Sequence, residues 1–199
     1  ASEILFKVDT RKAYADILLD QSLRGSDLDE RDRGLLTELT YGTLRWRGAI
    51  DARLRPSLSR PLADIDAPIR NLLRLTCYQL LYLDRIPPYA AVNEAVELAK
   101  VLGGGKTAGF VNAVLRNFLR ERRRAGPAAG EDSIAALATA QSHPEWLVRR
   151  WLDQFGAEDA TRLMRANNAK APLVLRANRL KISRDQLIDR LRGAGIEAT

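Results

Sequence analysis

The sequence predicts a mainly α-helical protein: an all-helical bundle over residues 1–125, a linker at 126–130, and the start of a small α/β domain over 131–199. Three observations carry this. Apolar residues recur at helical spacing almost throughout residues 1–124. The run Gly126-Pro127-Ala128-Ala129-Gly130 has the composition of a linker. Beyond it, Leu173, Leu175 and Ala177 alternate with Val174, Arg176 and Asn178, and this period of two predicts a strand over 172–178.

In chain order, Ile4, Leu5, Val8, Tyr14, Ile17 and Leu18 predict one helix to about Leu23, and Gly25-Ser26-Asp27 breaks it. Asp29 is placed to cap the next helix, with Asp32 in its first turn. Leu36, Leu39, Trp46, Ile50 and Leu54 then form one stripe of a long helix that ends before Pro56. Asp66-Ala67-Pro68 starts a helix that is apolar on most sides (Leu72, Leu73, Leu75, Leu80, Leu81, Leu83), which predicts a central position. Pro87-Pro88 ends it. Tyr89–Leu102 is a further helix, terminated by Gly103-Gly104-Gly105. Phe110, Val111, Val114, Leu115, Phe118 and Leu119 face inward on the last bundle helix, which ends in Arg120, Arg122, Arg123 and Arg124. After the linker come short helices at 133–140, 144–155 and 157–166, the strand at 172–178, and a helix opened by the Ser183/Gln186 capping box. A second strand is expected from Ile196, with its sheet partners supplied by residues beyond Thr199.

The 199 residues are 46% hydrophobic and 29% charged, enough apolar material for a buried core, and no apolar run is long enough to span a membrane. The first residues already read as helix, with no basic leader or cleavage motif. A single cysteine excludes an internal disulfide and a cysteine zinc site, and fits a reducing cytoplasm. The net charge of +7 is carried mostly by arginine, a residue that grips phosphate with two parallel hydrogen bonds.

Few motifs point to catalysis. Gly103-Gly104-Gly105-Lys106-Thr107 lacks the phosphate-loop pattern, because Lys100 stands where its first glycine would be. It reads as a helix cap, with Lys106 at a helix N-terminus suited to an RNA phosphate. Cys77 lies among Leu73, Leu80 and Leu81, a buried setting unlike that of a nucleophile. His143 has no second histidine or cysteine to share a metal, and it precedes Pro144 at a helix start. No glycine-rich strand–turn–helix for a dinucleotide or methyl donor occurs. No catalytic, cofactor or metal residue is therefore assigned. The candidate RNA-binding residues are Arg31, Arg33, Arg45, Arg47, Lys106, Arg116, Arg120 and Arg123, with Arg116, Arg120 and Arg123 on one helical face that can track a phosphate backbone. The alternative for these arginines is a solvated surface with salt bridges to Asp51, Glu94 or Glu121.

Three segments carry a family resemblance. Arg31-Asp32-Arg33-Gly34-Leu35-Leu36 leading into Tyr41-Gly42-Thr43-Leu44-Arg45-Trp46, Ile86 to Val96, and Lys106 to Arg116 resemble the NusB-like domain of the Sun/Fmu family of ribosomal-RNA methyltransferases. The latter two are also similar to the antitermination factor NusB. His143-Pro144-Glu145-Trp146-Leu147, Ala166-Asn167-Asn168 and Leu175-Arg176-Ala177-Asn178 resemble the small domain that joins the bundle to the catalytic domain in that family. The resemblance implies an RNA-binding region of an enzyme that methylates carbon 5 of a cytosine in small-subunit ribosomal RNA, with S-adenosylmethionine as donor. It implies a cysteine thiolate that adds to carbon 6 and a second cysteine that helps release product. Both belong to a Rossmann-like domain absent from this sequence, and Cys77 matches neither. The bundle is then expected to hold small-subunit ribosomal RNA and to contact its own methyltransferase domain. Two alternatives stay open: an antitermination RNA-binding module, and a regulatory protein that kept the bundle without the catalytic domain.

Overall fold

The computed structural model describes residues 1–124 and 133–199, the side chains of Arg123 and Arg124 excepted, so the expected linker at 126–130 lies outside the described residues. The chain forms two compact units, Ala1–Asn168 and Ala169–Thr199.

In the first unit, α1 (Ser2–Arg11) and α2 (Ala15–Arg24) replace the single helix expected to Leu23, because Lys12 adopts a left-handed conformation (φ 52°) and turns the chain. The expected cap of α3 (Glu30–Arg45) is formed: Asp29 accepts from the Asp32 amide at 2.8 Å. The long helix predicted to run on to Leu54 is likewise two helices. Trp46 (φ −95°, ψ 14°) leaves helical geometry, and α4 (Arg47–Leu54) starts after it.

The central helix is α5 (Ala67–Tyr82), which packs against α1, α3, α4 and α6. Its sequence is apolar on most sides because it meets neighbours on most sides. Asp66 stands at its N-cap without making the cap bond. Pro68 removes one of the two amides that such a side chain normally accepts from. Helix α6 (Pro88–Arg124) is broken at Gly103 (φ −156°) and Gly104 (φ 75°), where the glycine triplet was expected to end a helix. Ile50, Leu54, Leu72, Leu73, Cys77, Ala99, Val111, Leu115 and Phe118 are among the side chains of one core shared by α4, α5 and both halves of α6.

Helices α7 (Ile134–Ala140) and α8 (Glu145–Asn168, broken at Gly156, φ 75°) form a smaller core of Ala138, Val148, Ala160 and Met164, with Trp151 and Leu152 beside it. This pair is joined to the bundle by a cap in trans. Helix α4 has no side-chain cap of its own, and the hydroxyl of Ser142, just past α7, accepts from the amides of Gly48 (2.9 Å) and Ala49 (3.4 Å). Ser142 reaches them from a left-handed conformation (φ 56°).

The second unit holds α9 (Arg184–Gly193), opened by the predicted capping box: Ser183 Oγ accepts from the Gln186 amide and Gln186 Oε1 from the Ser183 amide. The strand expectations are not met. Residues 172–178 join no ladder, and neither does Ile196. The period of two is real, but among the described residues no second segment offers the ladder partner that a strand requires, and both faces stay open: Leu173 is 87% and Val174 81% exposed.

Candidate nucleic-acid interface

The candidate cations fall into three groups with different local chemistry. At the start of α3, Arg31 is exposed and makes no hydrogen bond or ion pair among the described residues, whereas Arg33 donates to the Leu23 carbonyl (2.9 Å) and ties α3 to the end of α2. At the far end of α3, about 21 Å away by helical rise, stand Arg45 and Arg47. Arg47 is held by Asp9 (2.7 Å).

Asp9 is the hub of a charge network that the sequence did not reveal. Only 8% of its side chain is exposed, and it also receives Arg70 (2.8 Å), Asn71 (3.4 Å) and Arg74 (3.5 Å). Arg74, 6% exposed, turns its other edge to Asp51 in a two-pronged contact of 2.7 and 2.8 Å. Asp51, considered as a partner for the surface arginines, thus pairs with a buried one. Burial works against ionising Asp9, yet the Arg70 hydrogen bond and the charges of Arg47, Arg74 and Arg70 together hold its carboxyl below the ordinary aspartate range. The network binds α1, α4 and α5 together, and part of the arginine excess is therefore structural.

Arg45 lies beside an aromatic stack that explains the Tyr41–Trp46 segment. Tyr78 and Tyr82 stack at 5.3 Å, and Tyr82 and Trp46 at 4.8 Å. Tyr78 passes so close to α3 that a Cβ on Gly42 would sit 2.0 Å from its Cζ. Tyr78 donates to Glu38 (2.5 Å). Burial, and then that carboxylate, push the Tyr78 phenol well above its usual range, with Arg45 opposing. Burial also raises Tyr82, against the opposing charge of Arg53. Gly42 and Trp46 therefore serve packing at the α3–α4 corner.

The third group is the most open. In the second half of α6, Ala108, Val111, Val114, Leu115 and Phe118 are buried. A period of 3.6 residues then places Lys106, Gly109, Ala113, Arg116 and Arg120 together on the opposite, exposed face. A Cβ at Gly109 would meet nothing within 4 Å. Among the described residues Arg116 hydrogen-bonds only to the Asn112 side-chain oxygen (3.1 Å). Arg120 contacts that of Asn117 (2.5 Å) and lies 4.0 Å from Glu121. Such neighbours orient the guanidinium groups while leaving most of their donors to solvent. Arg123 continues the helix, but its side chain lies outside the described residues. Arg122 turns inward and donates to the Leu80 carbonyl in the last turn of α5. Two small residues between three cations give a smooth basic face about 21 Å long from Lys106 to Arg120, a shape that admits a phosphate backbone.

The remaining polar candidates, Cys77 and His143, lie in packed surroundings. Cys77 is fully buried, and burial, followed by the nearby Asp51 charge, drives its thiol far above the ordinary range, the opposite of what a nucleophile needs. His143 Nδ1 lies 2.6 Å from the Gln141 carbonyl, and its ring packs edge-on against Trp151. Among the described residues no group of acidic, histidine or cysteine side chains could hold a metal ion, and no helix is long and apolar enough to cross a membrane.

A basic, all-helical bundle with an open cationic helix face has the electrostatic footprint that a nucleic-acid-binding domain requires. Residues 1–120 match the NusB family, and residues 143–199 match the ferredoxin-like domain of RsmF/B-like methyltransferases. The chain belongs to the NusB family and carries the domain order of the Sun/Fmu-type ribosomal-RNA methyltransferases that the sequence resembles.

Its relatives include a probable ribosomal RNA small subunit methyltransferase B of Bacillus subtilis, 42% identical over 99% of this chain and 44% of that protein. Another is the ribosomal RNA small subunit methyltransferase B of Pseudomonas putida, 40% identical over 86% of this chain and 38% of that protein. The Vibrio vulnificus protein of the same name is 34% identical over 96% of this chain and 46% of its own length. The chain thus spans less than half the length of these relatives. Among solved structures, PH0851 superposes with a TM-score of 0.71 at 16% identity, over 98% of this chain and 44% of that one. A chain in the crystal structure of a plectonemic RNA supercoil gives 0.57 at 22% identity, over 62% of this chain and 91% of that one. Both show a shared fold.

Proposed function

We propose that this chain is the RNA-binding, targeting region of a longer ribosomal-RNA cytosine-5 methyltransferase, that its substrate is small-subunit ribosomal RNA, and that it works in the cytoplasm. The observation that carries this reading is the pairing, in one chain, of a NusB-family bundle with the ferredoxin-like domain of RsmF/B-like methyltransferases. An antitermination module would call for the first alone. The named activity of the relatives supports the substrate class.

The bundle's part in the reaction is grip and orientation. Lys106, Arg116 and Arg120 neutralise phosphates along one face, and the unpaired or bent regions of the RNA supply selectivity through shape. The methyl donor, S-adenosylmethionine, supplies the methyl group in such an enzyme. No residue of this chain is assigned to hold it, since the sequence has no glycine-rich strand–turn–helix of the kind that binds such a donor. The reading therefore places donor binding and the attacking cysteine in a methyltransferase domain outside this chain, which the targeting region would contact.

The test is binding of the chain to two labelled RNAs across a salt series: a small-subunit ribosomal hairpin and a single-stranded antitermination sequence. Preference for the hairpin, with affinity falling steeply as salt rises, is the expected result. Preference for the antitermination sequence would transfer the function to transcription.

A further inference from the structure

An open cleft of about 250 Å³ lies where the turn Leu62–Asp64 and the first turn of α5 meet the restarted half of α6. Ile65, Ile69 and Phe110 supply its apolar lining, Arg60, Lys106 and Thr107 most of its polar lining, and Asp66 its one carboxylate. The Arg60 guanidinium is held 5.5 Å from the centre of the Phe110 ring, a cation–π contact that fixes the charge without consuming its hydrogen-bond donors. Neither Arg60 nor Lys106 makes a hydrogen bond or ion pair among the described residues. Two unpaired cations line one concavity against a single carboxylate, so the lining carries an excess of positive charge. The positive end of the helix restarted after Gly104 adds to it.

The cleft is also built rather than incidental. Arg70 donates to the carbonyls of Ala63 (3.3 Å) and Ile65 (3.1 Å), and its other end is anchored on Asp9, so the turn carrying Ile65 and Asp66 is tied to the buried charge network. Thr107 Oγ1 donates to the Gly103 carbonyl (2.8 Å) and braces the opposite wall. Lys106 belongs both to the cleft and to the exposed face that continues through Gly109, Ala113, Arg116 and Arg120. A strand laid along that face therefore arrives at the cleft.

We propose that this cleft seats a single phosphate of the bound RNA backbone. Arg60 and Lys106 are its donors, and the adjoining ribose lies against Phe110 and Ile69. This rests on the RNA-binding reading above and fixes the register of the strand at one end of the α6 face. Asp66 opposes the phosphate and limits the affinity. Its side chain makes no cap bond, so neutralising it removes charge without removing a structural contact.

The test compares wild type, Arg60→Gln, Lys106→Gln and Asp66→Asn for binding to the labelled small-subunit hairpin across a salt series. The two cation variants are expected to weaken binding by up to about fivefold each, the scale of one exposed charge pair. Because both donors serve one phosphate, each variant is also expected to lower the slope of log affinity against log salt by less than the roughly 0.7 to 0.9 that marks a whole lost phosphate contact. Asp66→Asn is expected to bind more tightly than wild type, a change of sign that general damage to the fold would not produce. Wild-type affinity and slope in Arg60→Gln, with hairpin binding intact, would overturn the cleft and leave the RNA-binding reading standing. Absence of hairpin binding by the wild type at low salt would overturn both. A further arm replaces chloride by inorganic phosphate at matched ionic strength. If phosphate raises the melting temperature of wild type but not of Arg60→Gln, while the two bind the hairpin alike, the cleft is a small-anion site and its RNA assignment fails.

Discussion

Gly42 and Asp9 show how closely single residues constrain this bundle. At Gly42 any side chain would enter the space held by the Tyr78 ring, which is itself fixed by its stack on Tyr82 and its hydrogen bond to Glu38. Gly42→Ala should therefore lower stability by about 2–3 kcal/mol, the scale of overpacking a filled site, measured by urea unfolding. Added helix propensity, worth about 1 kcal/mol in the other direction, does not offset it. Asp9 serves several cations at once. Asp9→Asn removes the charge that three arginines share, and it should cost about 3 kcal/mol at neutral pH, toward the low end for a broken buried pair because Arg47 keeps access to water. Because the folded Asp9 carboxyl is held below its unfolded value of about 3.9, its contribution is complete above that value and is lost as pH falls through the folded one. Acid unfolding of wild type should therefore be steeper below about pH 4 than that of Asp9→Asn. Parallel acid curves would remove Asp9 from the hub role.

Among the elements, α4 is the one whose geometry depends on a distant segment. Its first turn is capped by Ser142, so the residues after the bundle contribute to the bundle's own order. Ser142→Ala should cost about 1 kcal/mol, as for other lost caps, in the unfolding of the whole chain. An unchanged unfolding midpoint would mean that water replaces the hydroxyl. The elements also differ in how far they were readable in advance. Asp29 and the Ser183/Gln186 box act within three residues, and both caps form as expected. The interruptions at Lys12 and Trp46 were not foreseen, because one depends on a single left-handed residue and the other coincides with an indole stacking on Tyr82, far along the chain. The strand at 172–178 failed for a related reason: alternation describes a segment's faces, while a ladder needs a partner that the segment does not contain.

For the whole molecule, the sequence made the family and the helical fold legible and the allocation of its charges only partly so. Lys106, Arg116 and Arg120 could be picked out because helical periodicity sets them opposite Val111, Val114 and Leu115. Arg60 was not among the expected cations, because it lies in a connection with no period and meets Phe110 only through the fold. The ion pair of Arg47 was not legible, because its partner Asp9 is 38 positions away, a separation at which no local pattern signals one. Part of the positive charge thus holds α1, α4 and α5 together, and another part stands exposed, including that of Lys106, Arg116 and Arg120 on α6.

The most direct test of this account is the salt dependence of hairpin binding by Arg116→Gln/Arg120→Gln beside wild type. Both arginines are exposed and, among the described residues, contact only near neighbours on their own helix, so the fold should be unchanged. The account predicts weaker binding and a slope of log affinity against log salt reduced by about 1.4 to 1.8, two phosphate contacts at 0.7 to 0.9 each. A double variant with the wild-type affinity and slope would contradict it, and would mean that the open face of α6 does not carry the RNA.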